Sequence, residues 1–278
     1  MKTIKFKSFT SGSCGNCYFL GIFSEDGACE AGVLIDAGFS PRRLKKELAR
    51  EGLSFDDFSA MLVTHDHNDH NDHIRSLGSY CKHLHVPIWT PPELAHALTH
   101  HFITGDYYPA CRHELAEGWN EIVPGRIRAQ YFAVPHDASC TFGYALLLDE
   151  YKFVIMTDIG RMVPQGLSFA RQADTVVIES NYDLEMLRNG PYPKVLQDRI
   201  CGGHGHLSNV ECAEALREFA HPGLRNIFLC HLSEHNNTPE LAYETNAAVL
   251  QACYAGVEGR IPRLCPLPRM TPSPFFIL

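Results

Sequence analysis

No stretch of this 278-residue chain approaches the ~18 uninterrupted apolar residues of a membrane-spanning helix. Its first residues, Met1-Lys2-Thr3-Ile4-Lys5-Phe6-Lys7, alternate as a strand does and lack the apolar core of a secretory signal. A disulfide framework is missing too. The 11 cysteines are scattered and odd in number, and Cys230, in Ile227-Phe228-Leu229-Cys230, sits in an apolar run where a thiol packs as a small hydrophobe. Cys14-Gly15-Asn16-Cys17 is a lone Cys-x-x-Cys with no second pair, and it reads better as a Gly-containing turn than as a zinc or redox motif. Together these absences point to a reducing, cytoplasmic setting.

Positive charge is also in short supply: 24 Lys and Arg face 32 Asp and Glu, for a net charge of −8. That balance excludes a protein that coats nucleic acid by charge alone. An enzyme acting on nucleic acid stays open, because bound divalent cations would offset carboxylates where a phosphate would sit. Linkers, repeats and breaks in composition are lacking. The chain therefore reads as one domain over residues 1–278, with an irregular Pro- and Arg-containing tail from about residue 257.

What the chain does have is concentrated in nine residues. His65-Asp66-His67-Asn68-Asp69-His70-Asn71-Asp72-His73 holds four histidines and three aspartates. It follows the apolar stretch Ala60-Met61-Leu62-Val63-Thr64, which reads as a short buried strand, and precedes a helix expected from about Asp72 to His83. Imidazole and carboxylate are the usual ligands of catalytic zinc and its neighbours. So many at one strand end would be destabilising without a cation between them. A polar low-complexity loop would not place His-x-His-x-Asp-His where a strand hands over to a helix.

Three distant segments repeat that logic. His136 follows the strand-like Gln130–Pro135, Asp158 follows Phe153–Thr157, and His231 follows Ile227–Cys230. Any one of them alone would be an ordinary polar residue. Three apolar strands each delivering a His or Asp at the C-terminal end point to a metallohydrolase centre. Further strands are expected at 2–9, 16–23, 31–38, 126–134, 140–149 and 174–179. Helices are expected after Ser40-Pro41, over 208–220 behind Ser208, and over Pro239–Tyr254. Strands in two blocks, interleaved with helices, suggest an α/β arrangement of two sheets packed face to face with helices outside. Arg42, Arg43, Lys45, Lys46, Arg188 and Lys194 read as solvated helix faces.

The pattern Thr64-His65-x-His67-x-Asp69-His70 with His136, Asp158 and His231 resembles the metallo-β-lactamase superfamily. More narrowly the chain is similar to the YycJ/WalJ branch. The likeness is carried by Ser11–Tyr18, Leu34-Ile35-Asp36-Ala37-Gly38, Val134–Asp137 and Thr157–Gly160. It continues through Glu179–Asp183, Gly190-Pro191-Tyr192-Pro193, Gly205-His206-Leu207-Ser208-Asn209, Cys230–Ser233 and Asn236–Glu240. The resemblance implies a four-layer αββα sandwich and a phosphodiesterase of the nuclease type, a 5′-directed DNA exonuclease tied to repair, with DNA favoured over RNA. It implies two divalent ions, Zn²⁺ or Mn²⁺ with Fe also acceptable. His65, His67 and His136 would hold one and Asp69, His70 and His231 the other, with Asp158 bridging. Asp69 would also orient the attacking nucleophile.

Three residues outside that set are candidates for other roles. Asp36 would steady a ligand histidine from behind. His206, ahead of the Ser208 helix start, would contact the scissile phosphate or protonate the leaving oxygen. Asn16 is a candidate phosphate contact. The nine-residue run departs from the family pattern, for Asn68-Asp69-His70 is repeated as Asn71-Asp72-His73. Asp69 and His70 keep the spacing from His67 and are preferred as ligands, with Asp72 and His73 as the alternative register. Two other functions are compatible with such a site. One is hydrolysis of a small substrate (thioester, lactam or cyclic phosphodiester), the other a metal-binding regulator without turnover.

Overall fold

The computed structural model describes residues 2–13, 15–66, 73–84, 86–256 and 260–278. The first half of the chain forms strands β1 (Thr3–Gly12), β2 (Gly15–Phe23), β3 (Cys29–Ile35), β4 (Ala60–Leu62), β5 (Ile88–Thr90) and β6 (Arg112–Glu114). Helices α1 (Pro41–Arg50), α2 (His73–His83) and α3 (Pro92–His100) lie between them in sequence. The second half supplies β7 (Asn120–Val123), β8 (Ile127–Ala133), β9 (Phe142–Leu148), β10 (Tyr151–Met156), β11 (Thr175–Glu179), β12 (Asn226–Cys230) and β13 (Arg263–Pro266). Its helices are α4 (Pro164–Ala170), α5 (Leu184–Asn189), α6 (Lys194–Cys201), α7 (Asn209–Phe219) and α8 (Pro239–Cys253). A last short strand, β14 (Phe276–Ile277), crosses back to pair with β1.

Two seven-stranded sheets result, ordered β14-β1-β2-β3-β4-β5-β6 and β13-β12-β11-β10-β9-β8-β7. The central strands, such as β2, β10, β11 and β12, are apolar on both faces, as strands covered on both sides must be. In β2, Tyr18, Leu20 and Ile22 point between the sheets, whereas Cys17, Phe19 and Phe23 point to the outer layer. In β10, Phe153 and Ile155 face inward while Val154 and Met156 face outward. The period of two therefore splits each strand between two cores. Leu44 and Leu48 of α1, Leu77 of α2 and Leu98 of α3 cover the first sheet. Leu216 and Phe219 of α7 and Leu250 of α8 cover the second. The layering is α/β/β/α, in agreement with the expected fold class.

The tail departs from its expectation. Beyond the undescribed residues 257–259, β13 runs parallel to β12 with Asn226 opposite Arg263, and β14 pairs antiparallel with Lys5 and Phe6. Both segments are edge strands, where Pro266 is tolerated because one side of the backbone needs no partner. Such short edges carry too little periodicity to be read from sequence.

The sheets are also joined along one line. The Phe142 N–H donates to the Thr64 carbonyl at 2.9 Å, the Tyr144 hydroxyl donates to the Val63 carbonyl at 2.5 Å, and His65 bridges to Thr141. That seam puts the end of β4 beside the ends of the second sheet's strands.

Candidate metal centre

Three strands end on residues in the left-handed region: Asp36 after β3 (φ 62°), Asp158 near the end of β10 (φ 53°) and His231 after β12 (φ 55°). Non-glycine residues rarely accept this conformation, and each instance carries roughly 1–3 kcal/mol of strain. Asp and His are among the side chains that tolerate it best. The turn swings each side chain off the pleat toward the seam between the sheets. There Asp158 and His231 meet the rings of His136 and His206.

The distances define a compact cluster. His231 Nε2 lies 3.3 Å from Asp158 Oδ1, and His136 Nε2 lies 3.9 Å from the same oxygen. Candidate ligand atoms of Asp158, His206 and His231 all fall within 4.8 Å of one another. The His206 ring is 5.0 Å from those of both His136 and His231, and His65 is 6.1 Å from His136. His65, His136, Asp158 and His231 are each under 10% exposed.

Hydrogen bonding tethers the Nδ1 atom of each ring. His136 Nδ1 lies 2.8 Å from the Gly205 carbonyl, which can only accept, so Nδ1 carries the proton. The Nδ1 atoms of His206 and His231 sit 2.8 and 2.7 Å from the single oxygen Glu179 Oε1. The Thr64 hydroxyl donates to Asp36 Oδ2 at 2.8 Å, so it accepts from His65 Nδ1 at 2.7 Å. With Nδ1 of each ring tethered away, Nε2 of His136 and His231 is directed at Asp158 Oδ1. Carboxylate- or carbonyl-backed imidazoles around a carboxylate are the arrangement that holds a transition metal. The donor set fits Zn²⁺, Mn²⁺ or Fe.

Electrostatics agree with that geometry. Burial alone would raise the Asp158 carboxyl, yet the imidazoles of His231, His65, His136 and His206 hold it well below the ordinary carboxylate range. Glu179 is likewise buried, and His206 and His231 pull it down to about 2. Burial lowers His231, but Asp158 and Glu179 overcome this and raise it to about 9. Burial lowers His136. Asp36 behaves differently: burial raises it to about 7 despite the two bonds from Thr64. Two ionised carboxylates in so little solvent call for a cation, and without a metal His231 supplies it as a proton.

The expected residues are placed unequally. His65, His136, Asp158 and His231 converge. Asp36 accepts from Thr64, whose hydroxyl in turn meets His65 Nδ1. His67, Asp69 and His70 lie outside the described residues, as do Asp72 and the side chain of the alternative ligand His73. Asn16 differs from its expectation. It is 1% exposed, and its amide donates to Asp158 Oδ2 at 2.7 Å and to Thr157 Oγ1 at 3.0 Å, so it braces Asp158 rather than facing a phosphate. Its loop is fixed by Gly38, where a Cβ would come within 2.4 Å of the Asn16 nitrogen.

Glu179 has no role in the sequence reading, although a charged residue closing the apolar run Thr175–Ile178 is the same signal that marks Asp158. Its second oxygen accepts from the Ile159 N–H at 2.8 Å, tying β11 to the Asp158 turn. Ser11 and Asn181 hold His231 by its backbone, the first at its N–H (2.9 Å) and the second at its carbonyl (2.7 Å). No periodicity signals such contacts.

Known proteins resemble this arrangement in sequence and in shape. Residues 32–231 match the model of the beta-lactamase superfamily domain. The chain is 31% identical over 253 residues to the exodeoxyribonuclease WalJ of Streptococcus pneumoniae, covering 91% of this chain and 90% of that one. This chain belongs to the metallo-β-lactamase superfamily, in its YycJ-like branch. The exodeoxyribonuclease YycJ of Bacillus anthracis is also 31% identical, over 91% of this chain and 92% of that protein. The metallo-β-lactamase-fold protein YhfI of Bacillus subtilis superposes over the full length of both chains with a TM-score of 0.65 at 15% identity, which speaks to fold alone. The protein is a metal-dependent hydrolase of this superfamily.

Proposed function

We propose that the protein is a dinuclear metal-dependent phosphodiesterase acting on DNA, an exonuclease working from 5′ ends in the cytoplasm, with a role in repair. The observation that carries the reading is the set of four outward-tethered imidazoles around Asp158. Support for DNA comes from two relatives named exodeoxyribonucleases over nine-tenths of their length. His65, His67 and His136 would hold one ion, Asp69, His70 and His231 the other, and Asp158 would lie between. When bound, the ions polarise water and a phosphoryl oxygen, lowering the barrier to phosphodiester hydrolysis.

The chain's own groups do the positioning. Thr64, the Gly205 carbonyl and Glu179 fix the rings, and Asn16 fixes Asp158. His206 is tethered at Nδ1 by Glu179, which leaves Nε2 free of that bond, and it is the most exposed member of the cluster. In this role it contacts the scissile phosphate or passes a proton to the leaving oxygen. The metal-free cluster also lets His206 stand as a ligand beside Asp158 and His231. His206→Ala separates the two roles, since loss of turnover with metal content kept supports the substrate role.

The test of the whole reading is a substrate panel of single-stranded DNA, RNA, a thioester and a chromogenic lactam, each with Mn²⁺ or Zn²⁺ and with chelator. Metal-dependent release from 5′-labelled DNA supports the proposal, and turnover of only a small substrate overturns it. His70→Ala against His73→Ala, read by metal content, decides the register. Loss only in the second variant would reject Asp69 and His70.

A further inference from the structure

Gly190-Pro191-Tyr192-Pro193 belongs to no element of the metal centre, yet its Tyr192 lines a cavity of about 180 Å³ that also reaches His206. Gly205 lines it beside His206, as do Leu196, Arg199 and Ile200 of α6. Tyr192 is half-buried and pre-set. Prolines flank it, its carbonyl accepts from Gln197 Nε2 at 2.9 Å, and its ring stands edge-on to His235 at 5.9 Å. Among the described lining residues Arg199 is the one Lys or Arg, and its guanidinium pairs with Asp137, which lines the same cavity. An aromatic ring, two aliphatic side chains and a guanidinium lining one cavity suit a purine or pyrimidine and its phosphate.

We infer that this cavity receives the terminal nucleotide of the substrate, with Tyr192 stacking its base and Arg199 drawing its phosphate. The inference rests on the phosphodiesterase reading and deepens it. Cleavage then takes place one unit from the strand end, and the released product is a mononucleotide. Neither residue touches the cluster, so both set specificity through where the strand is held.

The test uses the metal-loaded full chain with three variants, Tyr192→Ala, Tyr192→Phe and Arg199→Gln, each checked for metal content. Turnover is measured on a single-stranded oligodeoxynucleotide and on bis(p-nitrophenyl) phosphate, a diester with no base to stack. Deoxyadenosine and dAMP are titrated as inhibitors of the second reaction. Tyr192→Ala is expected to lower kcat/KM on DNA about ten- to hundredfold, the worth of a stacked base, and at least tenfold more than on the small diester. Its Ki for dAMP rises about tenfold, Tyr192→Phe restores both, and Arg199→Gln abolishes the preference for dAMP over deoxyadenosine.

Equal losses on the two diesters, or Phe behaving as Ala, overturn the pocket. DNA cleavage insensitive to Tyr192 overturns it while leaving the nuclease reading intact. Wild-type inertness toward DNA, with dAMP inhibition still dependent on Tyr192, overturns the nuclease reading and leaves a nucleotide pocket.

Discussion

Glu179 Oε1 accepts from two imidazoles at once, which makes one buried oxygen responsible for the orientation of both His206 and His231. Glu179→Gln keeps the shape but offers one acceptor and one donor in place of two acceptors and a charge. At least one ring must then turn or lose its partner. Metal affinity is expected to fall about 10- to 100-fold, with activity falling further than saturating metal restores. Metal titration of the variant beside the wild type checks this, and an unchanged titration curve would show Glu179 to be a bystander. Thr64→Val is the milder counterpart on the other side of the site. It removes the acceptor for His65 Nδ1 without changing volume much, and about a tenfold loss of metal affinity is expected, with the fold's Tm moving little. Such residues were hard to read from sequence because they bind nothing themselves. Thr64 and Glu179 matter through hydrogen bonds to residues distant in sequence or at neighbouring strand ends, and the chain pattern encodes strand and helix period rather than those pairings.

Helices and strands with strong ends were legible, and weak ones were not. Ser208 is the clearest case. Its side chain accepts from the Glu211 N–H at 3.1 Å, while Glu211 accepts from the Ser208 N–H at 2.8 Å, a reciprocal cap visible in the spacing Ser-x-x-Glu. Ser208→Ala should destabilise the protein by about 1 kcal/mol. For a chain of this size that lowers Tm by about 2–4 °C, readable by calorimetry, and a shift near zero would mean Glu211 holds the turn alone. α1 shows the limit of the same reasoning. Ser40 and Pro41 mark its start correctly, but the Ser40 side chain makes no capping bond, so the fixed proline angle and the buried Leu44 and Leu48 define the helix. Its basic face is solvated, with Arg43 lying over the Phe39 ring at 4.2 Å. α5 and α6 escaped notice because they are short, lie between glycines and prolines, and bury little beyond Leu187 and Gln197. α6 nonetheless lines the cavity beside the site with Leu196, Arg199 and Ile200.

At the scale of the whole molecule the metal centre sits where two independently cored sheets meet. Phe6 of β1 packs between them against Phe153 and Phe228 of the second sheet, with ring centroids 5.4 and 4.9 Å away. Phe6→Ala opens a cavity in that shared core and should destabilise by about 3–5 kcal/mol. A second tie lies at the open edge, because His65 issues from the first sheet and His136, Asp158 and His231 from the second. Ions held by that set would bind the folded chain and not the unfolded one, so they add stability by mass action, about 4 kcal/mol per site at a thousandfold excess over Kd. Removing them leaves Asp158 and Glu179 facing each other's histidines with a proton as the sole compensation. Chelation is therefore expected to lower Tm by about 8 °C or more, and Zn²⁺ or Mn²⁺ should restore it. The same chelation should shift Tm far less in Asp158→Asn, which has already lost the charge that the ions neutralise. A calorimetric scan of both proteins, with and without chelator, decides the matter. Equal shifts would mean that the stabilising ion binds somewhere other than the seam between the sheets.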